Sequence, residues 1–254
     1  MLIGPEYVIL HLPKTGGEFF KDVLESVYPR GTFRVDAKHG SARLLEGEDA
    51  AKPRFMLVRD PWAWYPSWFH YCNGTGRRAA HRARVRERNR FFTLASGDFT
   101  IDCTHTLRRV FFARGMLSEA GPEAQHLSAQ DRRDIDELRE LPRVGKDGEG
   151  LITAHLARIM GPGGTEATTL GRLETMTQDF LAFLDAIGHT PPQKLERKLK
   201  GPATNRSAKA RAEDVYTPAM SEAVAIADRA IIERFGYTVP DGLRAGSAAG
   251  RTTD

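Results

Sequence analysis

A candidate anion-binding loop lies near the start of the chain, between an apolar run and a helical pattern. Residues 7–12 (YVILHL) are almost continuously apolar, which is typical of a buried parallel strand. Residues 13–17 (PKTGG) interrupt this run, and residues 18–27 return to the spacing of an amphipathic helix. The two glycines permit a tight turn and a close approach of the backbone to a ligand. Because a helix N-terminus offers unpaired N–H groups and Lys14 adds a cation, the segment suits a phosphate or sulfate group.

A second candidate pair follows the next apolar strand pattern, at residues 54–59 (RFMLVR). Asp60–Pro61 is a typical N-cap followed by proline at the first helical position. Ser67 lies eight residues after Arg59, about two helical turns further on. Ligands of open parallel sheets sit outside the carboxyl ends of the strands. The spacing therefore predicts that Arg59 and Ser67 converge on a second anionic group. For the first loop, at residues 13–17, the structural alternative is an ordinary strand-to-helix turn without a ligand.

The remaining patterns alternate between strands and helices, which predicts an α/β sandwich around a parallel sheet. The further strand patterns lie at residues 32–35 and 168–173. The further helical patterns lie from residue 61 to at least Tyr71 and at residues 151–160, 176–187 and 218–235. Residues 77–150 are polar and less regular, with short helical stretches, and residues 189–215 are Lys-rich and loop-like. Pro66 lies inside the helical pattern that begins at residue 61, where it is expected to kink the helix or shift its start.

Length and composition bound the classes of protein to consider. The chain has 254 residues, a net charge of +4 and two cysteines. This favours one domain over residues 1–240, with an insertion at about 75–165 and a disordered tail at 241–254. No apolar run approaches the length of a transmembrane helix, and the first residues lack the features of a secretory signal. The cysteine count favours a reducing compartment, so we expect a cytoplasmic protein.

The two motifs HLPKTGG and VRDPWAWYPS, in this order, resemble the nucleotide-binding motifs of sulfotransferases that use 3′-phosphoadenosine 5′-phosphosulfate. Later segments are similar to bacterial members that act on carbohydrates: Gly171–Glu174, Asn205–Ser207, Tyr216 and Ile232–Tyr237. The resemblance covers about residues 1–70 and 168–240. It implies a P-loop-NTPase-like three-layer sandwich with a central parallel sheet flanked by helices, and sulfuryl transfer to a hydroxyl without a metal.

The resemblance also implies roles for individual residues. Lys14 contacts the 5′-phosphosulfate and stabilises the bridging oxygen as it becomes part of the leaving group, adenosine 3′,5′-bisphosphate. The same phosphosulfate is lined by backbone N–H groups of the loop and first helical turn, namely those of Thr15, Gly16, Gly17, Glu18 and Phe19. Arg59 and Ser67 hold the 3′-phosphate, and a loop containing Asn205, Arg206 and Ser207 closes on the nucleotide. Glu18 departs from the family, which usually has Thr or Ser there.

A base must remove the proton of the attacking hydroxyl, and histidine is suited to this by its pKa. His39 follows the strand predicted at residues 32–35, so it is expected at the carboxyl edge of the sheet. It also resembles a Lys-His segment of related bacterial sulfotransferases, in which a His or Glu serves as base. Glu18 is the carboxylate alternative. His11 is expected to be a packed histidine of the strand, and His70 and His105 are weaker candidates.

The excess positive charge is concentrated in one segment. Residues 77–90 hold seven arginines and one glutamate, whereas the rest of the chain has a net charge of −2. Arginines suit carboxylate and sulfate groups, so an acidic glycan, a glycolipid or a secondary metabolite would fit as acceptor. A solvated helix or flap is the structural alternative. A general nucleic-acid binder would carry a broader positive face.

Three alternatives stay open at this point. A small-molecule kinase would need magnesium ligands and a GK[ST] loop, which this first loop lacks. A non-catalytic module that binds the nucleotide is favoured by Glu18. An RNA- or DNA-binding module would use the arginine segment at residues 77–90. The aromatic residues from Trp62 to Tyr71 are expected in the core, and Arg172 and Glu174 are expected to brace the sheet edge.

Overall fold

The computed structural model describes residues 1–73, 98–139, 150–161, 164–201 and 215–243. The strands are β1 (Leu2–Ile3), β2 (Val8–Leu10), β3 (Arg34–Val35), β4 (Arg54–Val58) and β5 (Thr168–Arg172). The α-helices are α1 (Gly17–Val27), α2 (Glu48–Ala51), α3 (Pro61–Asn73), α4 (Phe99–Ala113), α5 (Ala129–Arg139), α6 (Leu151–Met160), α7 (Gly164–Ala167), α8 (Met176–Ala186), α9 (Lys194–Leu199), α10 (Pro218–Ala227) and α11 (Arg229–Phe235). Within these ranges, no helix is both long and apolar enough to cross a bilayer.

The five strands form one open sheet in the order β3-β1-β2-β4-β5. β2, β4 and β5 are parallel, which confirms the parallel centre expected from the apolar runs. β1 is antiparallel to both β2 and β3 and was not expected, because two residues carry no periodicity. Since β3 therefore runs in the same direction as β2, the carboxyl ends of β2, β3, β4 and β5 lie at one edge of the sheet.

The chain divides into two compact units. The sheet unit comprises the described residues of Met1–Asp60 and His155–Ala208, and the helical unit those of Pro61–Ala154 and Lys209–Asp254. Helix α6 contributes residues to both, with its last turns in the sheet unit. The single domain expected over residues 1–240 stays a prediction.

The core of the sheet unit lies against one face of the sheet. Tyr7, Ile9, Phe55 and Leu57 pack there against apolar residues of α1, α8 and α9. All three residues of β2 are buried, as expected of a central strand covered on both faces. Helix α9 lies in the Lys-rich stretch that was expected to be a loop, and it is ordered by burial of its apolar residues against α8 and α1. The interpretation of that stretch was wrong over these six residues.

The aromatic residues of α3 form part of the core of the helical unit, as expected, except for Tyr71, which is exposed and for which the prediction was wrong. Trp62, Trp64, Tyr65, Trp68 and Phe69 are at most 5% exposed, so they do not form a surface platform for a sugar. This burial places most of the helix surface against protein rather than solvent.

Helix α3 starts at Pro61 and continues through Pro66. Proline has no N–H to donate to the carbonyl of Trp62, four residues earlier. The hydroxyl of Tyr216 donates to that oxygen instead, at 3.1 Å. A partner from a distant part of the chain therefore satisfies the group that proline leaves unpaired.

The prediction of a single helix over residues 218–235 was wrong at one point, because Asp228 separates α10 from α11. Asp228 is fully buried, and its carboxylate accepts hydrogen bonds from Tyr65 and Thr153. These partners hold the residue outside the regular helix. A short 3₁₀ turn at Asp241–Leu243 ends the described chain, and the tail after it lies outside the described residues.

Candidate functional site

The loop between β2 and α1 has a strained backbone held by internal hydrogen bonds. Lys14 has φ +67°, a value that residues with a side chain rarely adopt, and Gly16 has φ +78°. The Thr15 hydroxyl donates to the carbonyl of Leu12 at 2.8 Å, and Thr15 is 2% exposed. The buried Thr15 side chain therefore shapes the loop, while the half-buried Lys14 extends from it. Strain of this kind is concentrated at functional sites in proteins.

Helix α1 begins without a side-chain cap. Gly16 is its N-cap and, having no side chain, does not accept a hydrogen bond from the first N–H groups of the helix. The first N–H groups of a helix also lack partners within the helix. The start of α1, from Gly17, thus offers donors and the positive end of the helix dipole to an anion. Phe19 is half-buried in the same turn and packs against the core.

His11 packs directly on the start of α1. A Cβ atom added to Gly17 would overlap the His11 ring, so this position requires glycine. Burial is the main cause that lowers the pKa of His11 to about 3. His11 is therefore a neutral packed histidine at physiological pH, as expected from its place at the end of β2.

Arg59 lies beside this loop, at the carboxyl end of β4. Its Nη1 donates to the carbonyl of Lys14 at 3.2 Å, and its side chain is half-buried. The neighbouring backbone N–H of Asp60 donates to Glu174 Oε1 at 3.0 Å. Arg172 donates its backbone N–H to Asp179 at 2.6 Å. Arg172 and Glu174 thus brace the sheet edge, as predicted.

His39 reaches the same edge of the sheet. Its Nδ1–H donates to the carbonyl of His11 at 3.0 Å, and the two rings are 4.6 Å apart. Because a carbonyl can only accept, this hydrogen bond places the proton of neutral His39 on Nδ1 and leaves the lone pair on Nε2. Burial is the main cause that lowers the pKa of His39. At neutral pH the imidazole is thus uncharged and able to accept a proton.

Glu18 has a different environment. Its carboxylate forms an exposed ion pair with Lys38. The hydrogen bond from Lys38 is the main cause that lowers the pKa of Glu18. Glu18 is therefore ionised and paired at neutral pH, and it is a weaker base than a carboxylate in an apolar pocket.

A cavity of about 210 Å³ lies between the first two turns of α1 and the strands. Its wall is largely apolar, with Ile9, Leu10 and Leu57 from the strands. Glu18 and Lys38 are among its polar lining residues. The cavity thus adjoins the loop, and His39 does not line it.

The structure leaves part of the predicted site untested. Ser67 belongs to the helical unit and is 8% exposed, so its convergence with Arg59 stays a prediction. His70 and His105 are exposed residues of the helical unit. Asn205, Arg206, Ser207 and the arginine segment at residues 77–90 lie outside the described residues.

Two residues near this edge were missed by sequence reasoning. His155 and Arg158 lie one turn apart on α6, and His155 is buried, which lowers its pKa to about 3. The charges of Arg158 and of His39 lower it further. A His and an Arg at this spacing carry no specific signal in the sequence, because helices commonly present such residues to solvent.

Comparison of the chain with protein-family models, with curated proteins and with solved structures finds no match.

Proposed function

We propose that this protein transfers a sulfuryl group from 3′-phosphoadenosine 5′-phosphosulfate to a hydroxyl of a carbohydrate or other small metabolite. The observation that carries the proposal is the left-handed Lys14 on a strand–loop–helix segment whose sequence, HLPKTGG, resembles the donor-binding motif. The uncapped start of α1 and the half-buried Arg59 at the same edge support it.

The donor would be held by positive charge and backbone N–H groups. Lys14 and the N–H groups of Thr15 to Phe19 would bind the phosphosulfate, with Lys14 neutralising charge on the bridging oxygen as it leaves. Arg59 would bind the 3′-phosphate together with Ser67. The segment Asn205–Ser207 would close on the nucleotide. Such positioning and charge neutralisation can supply most of the catalysis in this type of transfer.

His39 would serve as the general base. The acceptor oxygen bonds to sulfur as the bond between sulfur and the bridging oxygen breaks, and adenosine 3′,5′-bisphosphate leaves with that oxygen. The proton of the acceptor hydroxyl goes to His39 Nε2, which carries the lone pair in the tautomer fixed by the carbonyl of His11. We favour His39 over Glu18 because the Glu18 carboxylate is paired with Lys38 and its pKa is lowered.

The fold family, the domain organisation and the cellular setting are part of the same proposal. The sheet with a parallel centre is compatible with a P-loop-like three-layer sandwich, and residues 1–240 would form one domain around it. Cys72 and Cys103 are buried and are not disulfide-bonded, which suits a reducing, cytoplasmic setting.

A non-catalytic nucleotide-binding module is the second candidate. Glu18 favours it, because a carboxylate in the first turn of α1 repels a phosphosulfate unless a cation neutralises it. The ion pair with Lys38 supplies such a cation, so we rank this candidate second.

The test is transfer of ³⁵S from labelled donor to a panel of hydroxyl acceptors. We expect His39→Gln to lower the rate by about 10²–10⁴-fold and to remove the lower limb of the pH–rate profile. His70→Gln, an exposed histidine of the helical unit, is the matched control and should keep full activity. Full turnover by His39→Gln would remove His39 from this role, and donor binding with no transfer to any acceptor would favour the second candidate.

A further inference from the structure

The segment that follows His39 packs on the carboxyl end of α6. Gly161, directly after α6, has φ +72°. A Cβ atom built on it would lie 3.0 Å from Arg43 Cγ and 3.5 Å from Ser41 Oγ. The side chains of residues 41 and 43 therefore lie against Gly161, the residue that follows this helix. This contact brings the candidate base and the arginine on the last turn of α6 to the same edge of the sheet unit.

Arg158, on the last turn of α6, is half-buried. Across the described parts of the chain, no carboxylate lies within ion-pair distance of its guanidinium. Burial lowers the pKa of this guanidinium. By contrast, the buried Arg109 of the helical unit is paired with Asp131 at 2.6 Å. A partly desolvated cation that lacks a partner costs folding free energy, which an anionic ligand can offset.

The charge of Arg158 acts on the candidate base. It is one of the causes, after burial, that lower the pKa of both His39 and His155. His155 is neutral at physiological pH and offers no negative charge in return. An anion bound at Arg158 would therefore offset a charge that makes His39 a weaker base.

We propose that Arg158 binds an anionic group of the acceptor. This rests on the proposed function and narrows it: the acceptor is a hydroxyl compound that carries a carboxylate, phosphate or sulfate group. A guanidinium presents paired N–H donors that match the oxygens of these groups. Neutral alcohols of the same size lack this contact and bind more weakly.

Arg158 also lies near a helix C-terminus, where an arginine can interact with the last carbonyls. This role is purely structural and predicts no anion binding. The experiment therefore measures binding of a simple anion rather than stability alone.

The probe is inorganic sulfate, titrated against chloride at equal ionic strength into the full chain saturated with adenosine 3′,5′-bisphosphate. NMR follows the Arg158 side-chain Nε–H signal and the titration midpoint of the His39 ring. We expect saturable shifts of the Arg158 signal and a rise of the His39 midpoint. Arg158→Gln should weaken sulfate binding at least about tenfold, whereas Arg158→Lys should retain part of it. Arg197→Gln, which removes the same charge from an exposed position on α9, should leave it unchanged.

Absence of saturable sulfate binding, or equal binding by wild type and Arg158→Gln, would overturn the proposal. A thermal melt of each variant separates loss of the site from loss of the fold. The stabilisation given by the bisphosphate alone tests donor binding, and the sulfate titration repeated without nucleotide tests Arg158 independently. Failure of the proposed function and failure of this inference therefore give different results.

Discussion

Asp228 in the helical unit and the loop between β2 and α1 in the sheet unit differ in how their polar groups are paired. In the helical unit, Asp228 is fully buried and accepts hydrogen bonds from Tyr65 (2.7 Å) and from both the N–H and the hydroxyl of Thr153 (3.2 and 2.9 Å). Gly150 leaves no room for a side chain beside this carboxylate. In the sheet unit, helix α1 instead begins without a side-chain cap beside the loop that follows β2.

Under the proposed function, this difference distinguishes groups that stabilise the fold from groups that would bind a ligand. A buried polar group that is fully hydrogen-bonded within the chain has its energetic cost offset there. Within the described parts of the chain, half-buried Arg158 has no such compensation from a carboxylate, and Lys14 has a left-handed backbone beside the start of α1. We therefore expect changes around Asp228 to alter stability, and changes around Lys14 to alter binding and turnover.

Lys14→Ala should lower activity strongly and leave stability almost unchanged. Removal of one charge that stabilises the leaving group typically lowers turnover by about 10²–10³-fold. The free energy of unfolding should change by less than about 0.5 kcal/mol, because the side chain is not part of the core. Lys21→Ala, an exposed lysine of α1 paired with Glu25, is the matched control. Rates of ³⁵S transfer and urea denaturation measure the two quantities, and an active Lys14→Ala variant would contradict the assigned role.

Asp228→Ala should have the opposite signature. The change leaves the buried Tyr65 hydroxyl and Thr153 without their acceptor, which we expect to lower the free energy of unfolding by about 3 kcal/mol. Donor binding by the folded fraction should be unchanged. Asp228→Asn keeps one acceptor oxygen and should cost less. Urea denaturation provides the test, and a fully stable Asp228→Ala variant would show that this network is not a main source of stability.

The pH dependence of stability should identify the same carboxyl group. Burial raises the pKa of Asp228 from 3.8 to about 6, so between these values the folded state binds a proton that the unfolded state does not. The stability contributed by this group is therefore present below about pH 4 and is lost as the pH rises through 6. Relative to Asp228→Asn, the wild-type free energy of unfolding should fall by roughly 2–3 kcal/mol across this window. Denaturation curves from pH 4 to 7 that remain parallel for the two proteins would rule this out.

Gly17→Ala should have the smallest effect on the free energy of unfolding, and a second substitution should restore most of the loss. The new methyl group overlaps the His11 ring, so we expect a loss of about 1–3 kcal/mol in stability, although alanine is the better helix former. His11→Ala removes the ring and should restore most of the loss in the double variant. Thermal denaturation of the four proteins gives the interaction energy. Additive effects of the two changes would mean that the ring does not limit this position.

Much of the sheet unit could be predicted from local patterns. The apolar runs predict β2 and β4, and the helical spacing predicts the start of α1 to within one residue. The direction of β3 then places His39 near the end of β2. The break at Asp228 could not be predicted, because its cause lies in Tyr65 and Thr153, which are remote in sequence. Arg158 was missed for a similar reason, since the lack of a counter-charge is a property of the folded chain. The site assignments themselves stay predictions.

Isothermal titration calorimetry with adenosine 3′,5′-bisphosphate in the presence of EDTA tests the central claim most directly. The account predicts one binding site per chain, no requirement for a metal ion, and affinity reduced at least about tenfold by Arg59→Ala, because the 3′-phosphate loses a charge-assisted contact. ATP with Mg²⁺ should bind more weakly. No binding of the bisphosphate, or tighter binding of ATP with Mg²⁺, would contradict the assignment of this loop as a sulfuryl-donor site.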